Sequence, residues 1–352
     1  GRRIDCSCRA IVLWNAKQGR WPEQRRCSSA NRPPSESGPP APHPATDTGL
    51  SRPVRKGTLR PMPEQNDVTQ EDVGFLVLRG DPRRLSGIPD RSVQLALTQP
   101  PAWPVSPPFE GSETFGAGLE YRPYLAALGR VFAEVFRVLV PGGRLVCITS
   151  DIWLSRREHG RHRVLPFCAD ISLLCRDRGF DHLTPIIWHR PTGRRSPAFF
   201  GKPYEPNGGI RSDASLILMQ RKPGGYRKPT PDQRRRSRID RNRYREWFQQ
   251  MWSSTTEDAS QLPLPADIAE RLIRMFSFWG DTVLDPFCGS GAVLAAALRC
   301  HRNGVGIEQD LHVCRIAVNR VHEASNPLFN RIRLECKALA EFEEQEFFQP
   351  QP

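Results

Sequence analysis

The chain lacks the features that mark membrane and secreted proteins. No apolar run approaches the roughly 20 residues that a helix needs to cross a bilayer. The beginning of the sequence also has no apolar stretch of the kind that forms a secretory signal. We therefore expect a soluble, cytoplasmic protein that has no membrane partner.

Cysteine and histidine pairs are missing at the spacings that metal sites require. Ten cysteines are present, but Cys6 and Cys8 stand too close together for a usual zinc knuckle, and no suitable pair follows downstream. Cys147, Cys288 and Cys300 fall within apolar or helical runs, where a thiol behaves as a small hydrophobic group. The sequence therefore predicts reduced, intracellular cysteines and no metal site.

Negative charge is scarce relative to positive charge. The chain has 51 Lys and Arg against 38 Asp and Glu, which gives a formal net charge of +13. Basic side chains that neutralise phosphates release condensed counterions, so this excess favours a polyanionic partner. Nucleic acid is the leading partner, although charge alone also fits a basic protein without one.

The composition divides the chain into two parts. Residues 1–66 are rich in Arg, Pro and Ser and contain little that could form a core, so we expect them to be disordered. The first Met of the sequence is Met62, and an over-extended gene model is an open alternative for the residues before it. Residues 67–352 are expected to form one domain, with a basic and aromatic segment at 190–260.

Apolar strands alternate with amphipathic helices through this second part. Strands are predicted at 74–81, 92–98, 144–149, 183–189, 214–220, 282–284 and 304–307. Helices are predicted at 121–139, 167–178, 266–278 and 292–299, and Pro141-Gly-Gly143 is expected to stop the first of them. Such alternation is typical of an α/β fold with a mostly parallel sheet covered on both faces.

A glycine-bearing turn joins a strand to a helix in Val283-Leu-Asp-Pro-Phe-Cys-Gly-Ser-Gly291. Gly289 and Gly291 would let the backbone pass close to a ligand, and the helix N-terminus offers free N–H groups to an anionic group. About twenty residues later, Gly304-Val-Gly-Ile-Glu308 ends a strand in an acid. Nucleoside-binding α/β sheets use an acid at this position for ribose hydroxyls, so the complete unit predicts a nucleoside site.

Asp285-Pro-Phe-Cys-Gly-Ser-Gly291 resembles the signature of the N4-cytosine and N6-adenine DNA methyltransferase family. The preceding segment 269–281 is similar to that family's helix before the signature, and the resemblance covers about residues 75–321. It implies a Rossmann-like, mostly parallel, doubly wound methyltransferase fold with a circularly permuted motif order, in which the catalytic loop precedes the glycine turn. Residues 67–352 would then be the catalytic domain.

The resemblance implies S-adenosyl-L-methionine as the cofactor. Its methionine and adenosine parts would be surrounded by Asp285, Phe287, Gly289 and Gly291, and Glu308 would hold the ribose. Leu78-Arg-Gly-Asp81 resembles the family's first strand, whose acid lies near the cofactor adenine, which makes Asp81 the last predicted cofactor residue.

A proline-rich loop follows the strand Ser92-Val-Gln-Leu-Ala-Leu-Thr98. In the family the equivalent loop reads Ser, Asp or Asn, then Pro-Pro, then Tyr or Phe. Its polar residue and the next Pro carbonyl accept the N–H bonds of the target amine, and its aromatic ring stacks on the extruded base. The catalytic residues implied here are Gln99, Pro100, Pro101 and Trp103.

Two departures from the family's loop leave alternatives open. Gln99 replaces the short polar residue, and Ala102 replaces the stacking aromatic, a role that Trp103 would take over. Ser106-Pro107-Pro108-Phe109 reproduces the family's letters in full, but a strand that ends at Thr98 or Gln99 would have to double back to use it. Both segments could also be loops without chemistry.

The resemblance implies a site-specific DNA methyltransferase that acts on double-stranded DNA. The Thr-x-Pro-Pro-x-Trp loop favours cytosine N4 over adenine N6, and a restriction endonuclease of the same restriction-modification system is the implied partner protein. Segment 190–260, which includes Arg234-Arg-Arg-Ser-Arg238, falls where the family places target recognition, with a solvated linker as the alternative. Two other hypotheses remain: a catalytically impaired protein that binds S-adenosyl-L-methionine and DNA, and a methyltransferase for RNA or protein.

Overall fold

A computed structural model of the protein describes residues 72–106, 111–190, 212–253, 264–325 and 331–339. All of them fall within one unit that runs from Gln65 to Pro352. Segment 1–66, for which we expect disorder, lies outside the described residues, as do 191–211 and 254–263 of the basic segment.

Eleven strands and eight helices form the described part of the chain. The strands are β1 (Asp72–Arg79), β2 (Val93–Thr98), β3 (Leu139–Thr149), β4 (Ile152–Leu154), β5 (Arg163–Leu165), β6 (Asp181–His189), β7 (Ala214–Arg221), β8 (Met251–Ser253), β9 (Thr282–Asp285), β10 (Asn303–Glu308) and β11 (Arg331–Ala338). The helices are α1 (Tyr121–Val138), α2 (Arg156–His159), α3 (Phe167–Asp177), α4 (Pro231–Arg236), α5 (Arg241–Trp247), α6 (Ala266–Phe276), α7 (Ala292–Arg299) and α8 (Leu311–Ala324). None of these described helices has the length and apolar character that a membrane span needs.

Nine strands form one sheet in the order β11-β1-β10-β9-β2-β3-β7-β6-β8, and β4 pairs with β5 in a separate hairpin. Pairing is parallel from β11 to β3, whereas β7 is antiparallel to both of its neighbours. With helices on both faces, this is the mostly parallel, doubly wound α/β arrangement that the sequence predicts, and the fold class is confirmed.

Alternate residues of the central strands point to opposite faces of the sheet and enter two different cores. In β1, Leu76 and Leu78 pack in a core with residues of α1 and α3. Phe75 and Val77 pack on the other face with residues of α6, α7 and α8. A strand buried on both faces must be apolar at nearly every position, which explains why these segments read as continuous apolar runs.

The winding direction of the sheet reverses between β2 and β9. From β9 the chain passes through α7 to β10 on one side, and from β2 it passes through α1 to β3 on the other. Such a reversal leaves a crevice outside the carboxyl ends of the two strands, where open α/β sheets bind ligands. The predicted catalytic loop and the predicted glycine turn both begin at this crevice, although the loop comes first in the chain.

The predicted start of the strand after the first helix needs correction. α1 ends at Val138, close to its predicted end, but β3 begins at once at Leu139 and not at Arg144, so Pro141-Gly-Gly143 lies inside the strand and is not what stops the helix. Gly142 has a φ of +77°, and the pairing of β3 with β2 shifts register between Val93 and Leu95. The strand therefore absorbs the Pro-Gly-Gly segment as a bulge.

Candidate active site

A cavity of about 740 Å³ opens at the carboxyl ends of β2 and β9. The loop after β2, the turn after β9 and the end of β10 contribute to its wall. It brings together six of the predicted site residues: Gln99, Pro100, Pro101, Phe287, Gly289 and Glu308. The two halves of the predicted site, separated along the chain, thus meet in one space.

Asp285 is the last residue of β9, and its buried side chain reaches the end of β2. It is 3% exposed, and its Oδ1 accepts hydrogen bonds from the Thr98 hydroxyl (2.7 Å) and the Phe287 backbone N–H (3.1 Å). Burial raises the pKa of Asp285 to about 7, although the two hydrogen bonds oppose that rise. The carboxylate therefore shapes the turn from inside the sheet, and its contact with a cofactor stays a prediction.

The two predicted glycines of the turn have different environments. Gly289 has a φ of +48°, and a Cβ there would meet only the Phe287 carbonyl oxygen, at 4.0 Å. Gly291 has a φ of +80°, and a Cβ there would lie 2.9 Å from the Ala317 Cα on α8. Gly289 therefore keeps the cavity wall open, whereas Gly291 lets α8 pack against the start of α7.

Glu308 ends β10 and lines the cavity. Its Oε1 accepts the backbone N–H groups of Gln309 (2.8 Å) and Asp310 (3.1 Å), which fixes the direction of the side chain. Burial raises the pKa of Glu308 above its usual value, while the backbone donors act in the opposite direction. A strand-end carboxylate held in this way can accept hydrogen bonds from a hydroxylated ligand.

Asp81 follows β1 and forms a close ion pair with Arg83. The Arg83 Nε lies 2.9 Å from Asp81 Oδ1 and 2.8 Å from Oδ2. Burial raises the pKa of this carboxyl, but the Arg83 side chain and backbone N–H lower it further, so the net pKa is below its usual value. Pro82 between them lines the cavity, and a direct cofactor contact of Asp81 stays a prediction.

The amide oxygen of Gln99 is buried and has no hydrogen-bond partner within the part of the chain that the structure describes. Buried acceptors in folded proteins are normally paired, because an unpaired one costs about 1–3 kcal/mol of desolvation. Gln99 also lines the cavity, and a contact between this oxygen and a group that enters the cavity stays a prediction.

The loop after Gln99 is held from behind by aromatic side chains. The Tyr124 hydroxyl donates a short hydrogen bond to the Pro101 carbonyl, and Tyr124 itself is fully buried. The Trp103 indole N–H donates to the Leu119 carbonyl (2.8 Å), and its ring lies 5.3 Å from the Tyr121 ring. Trp103 is therefore packed against α1, and its predicted stacking on a base stays a prediction.

Several further residues line the cavity without having been predicted. Phe115 is 6% exposed, and its ring centroid lies 5.0 Å from that of Phe287. The beginning of α8 contributes His312, Val313 and Ile316. The sequence does contain a signal for α8, because Asp310, which N-caps the helix, stands two residues after the predicted acid Glu308. For Phe115 no local pattern exists, because its contact with Phe287 joins segments far apart in the chain.

The alternative loop and the basic segment are described only in part. Ser106 lines the cavity, whereas residues 107–110 lie outside the described residues. In the basic segment, Arg227 pairs with Asp281 just before β9, and the Trp279 N–H bonds to the Ser237 hydroxyl (2.7 Å). The residues that flank α4 therefore lie at the amino edge of the sheet, opposite the cavity. Among the described residues, no three His, Cys, Asp or Glu side chains are grouped so that they could hold a metal ion.

Comparisons with known proteins identify a family and several relatives. A family model described as DNA methylase matches residues 95–319. The type II methyltransferase M.MjaI of Methanocaldococcus jannaschii is 32% identical over 266 residues, which cover 66% of this chain and 86% of that protein. The DNA adenine methyltransferase YhdJ of Escherichia coli is 27% identical over 271 residues, which cover 71% of this chain and 83% of that protein.

Solved structures of other proteins have a similar fold. A candidate DNA modification methylase of Thermus thermophilus, crystallised with S-adenosyl-L-methionine, is 42% identical with a TM-score of 0.63, over 74% of this chain and 98% of that one. The cytosine-N4-specific PvuII DNA methyltransferase is 17% identical with a TM-score of 0.52, over 76% of this chain and 95% of that one. At 17% identity, the likeness to the PvuII enzyme concerns the fold alone.

Proposed function

Because the chain belongs to the N6/N4 DNA methylase family, we propose that it transfers a methyl group from S-adenosyl-L-methionine to the exocyclic amine of a base in double-stranded DNA. The acceptor that we favour is N4 of cytosine. An amine in a stacked base pair cannot be reached, so the target base enters the cavity by flipping out of the duplex.

The unpaired amide oxygen of Gln99 carries this proposal. It is a buried acceptor, and it belongs to a residue that lines the cavity together with Glu308 and Gly289. An exocyclic amine delocalises its lone pair into the ring, and acceptors that hold both of its N–H bonds favour the form that can attack a methyl group. In the proposed mechanism Gln99 Oε1 accepts one N–H and the Pro100 carbonyl accepts the other. Tyr124 holds the adjoining Pro101 in place.

The residues of the cavity fit the family's cofactor. Gly289 leaves open space at the turn, and Glu308 provides a carboxylate for ribose hydroxyls. Phe287 and Ile316 provide apolar wall, and Asp285 and Gly291 support the turn from behind. When bound, S-adenosyl-L-methionine would supply the electrophilic methyl group and leave as S-adenosyl-L-homocysteine, and the methylated amine would lose one N–H proton to water.

The preference for cytosine rests on the loop sequence. Thr98-Gln-Pro-Pro-Ala-Trp103 is closer to the cytosine branch of the family than to the Asp-Pro-Pro-Tyr loop of many adenine enzymes. The relatives include enzymes of both kinds, an adenine methyltransferase from Escherichia coli and the cytosine-N4-specific PvuII enzyme. The product must therefore be identified directly.

We also propose residues 67–352 as the catalytic domain and 190–260 as its target-recognition insert. The described ends of this insert support the proposal, since β6 ends at His189, β7 begins at Ala214 and β8 ends at Ser253, all at the carboxyl edge that carries the cavity. A restriction endonuclease that cuts the same DNA site is the proposed partner protein, because the relatives include type II methyltransferases.

The test of the function is identification of the methylated base. The purified full chain is incubated with methyl-labelled S-adenosyl-L-methionine and unmethylated mixed-sequence DNA, and the DNA is digested to nucleosides for mass spectrometry. Labelled N4-methylcytosine is the expected product. Labelled N6-methyladenine would contradict the cytosine preference alone, and label in RNA or protein but not in DNA would contradict the whole proposal.

Substitution of Gln99 tests the mechanism separately from the product. Gln99→Ala removes the amide oxygen, and we expect the methylation rate to fall by about 100-fold or more, as when one preorganised hydrogen-bond group is lost. Gln99→Glu keeps acceptor oxygens at the same distance from the backbone and should retain more activity than Gln99→Ala. Equal rates for all three proteins, with equal cofactor affinity, would contradict the role of Gln99.

Ala102 favours a second candidate function, a protein that binds cofactor and DNA but no longer transfers methyl groups. Ala102 lines the cavity where the family has a stacking aromatic ring. In an impaired protein Ala102→Tyr should raise activity, because it restores that ring. In an enzyme whose site has adapted to Ala102, the larger side chain should lower activity by filling the cavity. Labelling of DNA by the wild-type chain would exclude this candidate.

A further inference from the structure

A short hairpin projects from the edge of the sheet that carries the cavity. It follows β3 directly and consists of β4 and β5, with α2 between them. Ile152 pairs with Leu165 and Leu154 with Arg163, in antiparallel register.

The hairpin is anchored on one face and exposed on the other. Ile152 and Leu154 are 8% and 1% exposed and belong to the hydrophobic core. Trp153 and Val164, which are paired across the hairpin, are 36% and 46% exposed. The Asp151 carboxylate accepts the Cys168 N–H (3.0 Å), which ties the base of the hairpin to α3. One face of the hairpin therefore packs on the hydrophobic core, and the other face is exposed to solvent.

Four arginines of this hairpin are exposed: Arg156, Arg157, Arg161 and Arg163. Within the described residues none of the four has an ion-pair partner, whereas in the basic segment Arg235 and Arg243 pair with Asp232 and Asp240. Arginine that is free of carboxylates can offer its planar fork of N–H donors to a phosphate.

The hairpin lies next to the catalytic loop. The ring of His159, at the end of α2, is 6.2 Å from the ring of Trp103, which follows the Gln99–Ala102 loop directly. α4, the helix of the basic segment that contains Arg234, Arg235 and Arg236, has a different position. Its flanking residues Arg227 and Ser237 contact the amino edge of the sheet. β3 and β7 pair from Arg144 to Thr149, and five residue steps of about 3.3 Å each put roughly 17 Å of strand between that edge and the cavity edge. Of the hairpin and α4, the hairpin is the one beside the cavity.

We propose that the exposed face of this hairpin binds the phosphate backbone of the DNA duplex whose base enters the cavity. The inference rests on the proposed function, because it assigns the surface that holds the same substrate. The contacts are arginine side chains to phosphodiester oxygens, which position the duplex beside the cavity and read no sequence.

The salt dependence of DNA binding tests this proposal. Affinity of the full chain for a mixed-sequence duplex is measured by fluorescence anisotropy at several salt concentrations, with affinity for S-adenosyl-L-methionine measured in parallel. We compare the wild type with the triple variant Arg157→Gln/Arg161→Gln/Arg163→Gln. Each phosphate contact contributes about 0.9 to the slope of log affinity against log salt concentration. The magnitude of this slope should therefore be about 2–3 smaller in the variant, and the variant should bind DNA at least about tenfold more weakly. Its affinity for S-adenosyl-L-methionine should be unchanged.

Two further variants keep the test specific. Arg157→Lys/Arg161→Lys/Arg163→Lys retains the charge and should recover most of the slope. Arg130→Gln/Arg176→Gln/Arg299→Gln removes the same charge from exposed positions of α1, α3 and α7 and should change the slope little.

Three outcomes would overturn the proposal. An unchanged slope in the hairpin variant, or an equal loss in the α1, α3 and α7 variant, overturns it alone while DNA binding and methylation by the wild type stand. A wild-type chain that binds S-adenosyl-L-methionine but neither binds nor methylates DNA overturns the proposed function together with this inference.

Discussion

The Thr98 hydroxyl donates a 2.7 Å hydrogen bond to Asp285 Oδ1 and joins the ends of the two strands that carry the proposed catalytic loop and cofactor turn. Thr98 is fully buried and Asp285 is 3% exposed. Because the same carboxylate oxygen also accepts the Phe287 N–H, the position of the turn depends on its bond to the loop's strand. The two halves of the site are therefore coupled through the centre of the sheet.

Removal of the Thr98 hydroxyl should destabilise the fold. Thr98→Val keeps the shape of the side chain but leaves the buried Asp285 carboxylate one donor short, which should cost about 1–3 kcal/mol in free energy of unfolding. Urea unfolding of the two proteins measures the difference. Thr98→Ser keeps the hydroxyl and should lose less. If Thr98→Val unfolds at the same urea concentration as the wild type, the bond does not stabilise the fold.

The raised pKa of Asp285 should make stability depend on pH. The folded protein keeps this proton up to about pH 7, whereas an unfolded Asp releases it near its ordinary value of 3.8. Between these values the folded state binds more protons, so the contribution of Asp285 to stability is complete below about pH 4 and declines as pH rises to about 7. Above pH 7 its contribution should be constant.

Asp285→Asn isolates this contribution from the other titrating groups. The substitution keeps an acceptor for Thr98 and Phe287 but removes the titration. The free energy of unfolding of the wild type minus that of Asp285→Asn should fall by on the order of a few kcal/mol between pH 4 and pH 7. Two stability curves that stay parallel over this range would show that Asp285 ionises at an ordinary pKa.

Much of this architecture can be predicted from sequence where a signal is local. The helix from Ala292 to Arg299 matches its predicted bounds, and the strands that end at Thr98 and His189 end where the apolar pattern ends. These segments are buried along one face or both, so their apolar spacing records their environment. The turn from Asp285 to Gly291 is predictable from a different local signal, its glycines. The positive φ of Gly289 and Gly291 and the close contact of Gly291 with α8 require glycine at these positions.

The contacts that complete the site could not be predicted in this way. Phe115 reaches the cavity because it packs on Phe287, and the isolation of Gln99 Oε1 depends on which groups surround it in three dimensions. In the sequence, the arginine-rich segment from Arg156 to Arg163 looks like a solvated loop. In the structure, the buried side chains of Ile152 and Leu154 anchor it to the core. Each of these features depends on long-range packing, which no local pattern contains.

Alanine at the two glycines of the turn should separate folding from binding. Gly291→Ala puts a Cβ 2.9 Å from the Ala317 Cα at a φ of +80°, so we expect clear destabilisation in thermal unfolding. Gly289→Ala has open space at a φ of +48° and should cost only about 1 kcal/mol of backbone strain. Its methyl group enters the cavity, so its main effect should be weaker cofactor binding in calorimetry. The opposite pattern would contradict the assignment of Gly289 to the cavity and Gly291 to the α8 contact.

Neutralisation of Glu308 should weaken cofactor binding and leave the fold intact. Glu308→Gln keeps Oε1 for the backbone N–H groups of Gln309 and Asp310 but removes the charge that strengthens hydrogen bonds to ribose hydroxyls. A hydrogen bond to a charged group contributes about 1.5–3 kcal/mol, so the dissociation constant for S-adenosyl-L-methionine should rise about 10- to 100-fold. Isothermal titration calorimetry measures it. Glu335→Gln on β11, where Arg333 and Lys337 pair with the carboxylate, is the matched control and should bind cofactor like the wild type. Equal affinity of Glu308→Gln and the wild type would remove Glu308 from the cofactor site.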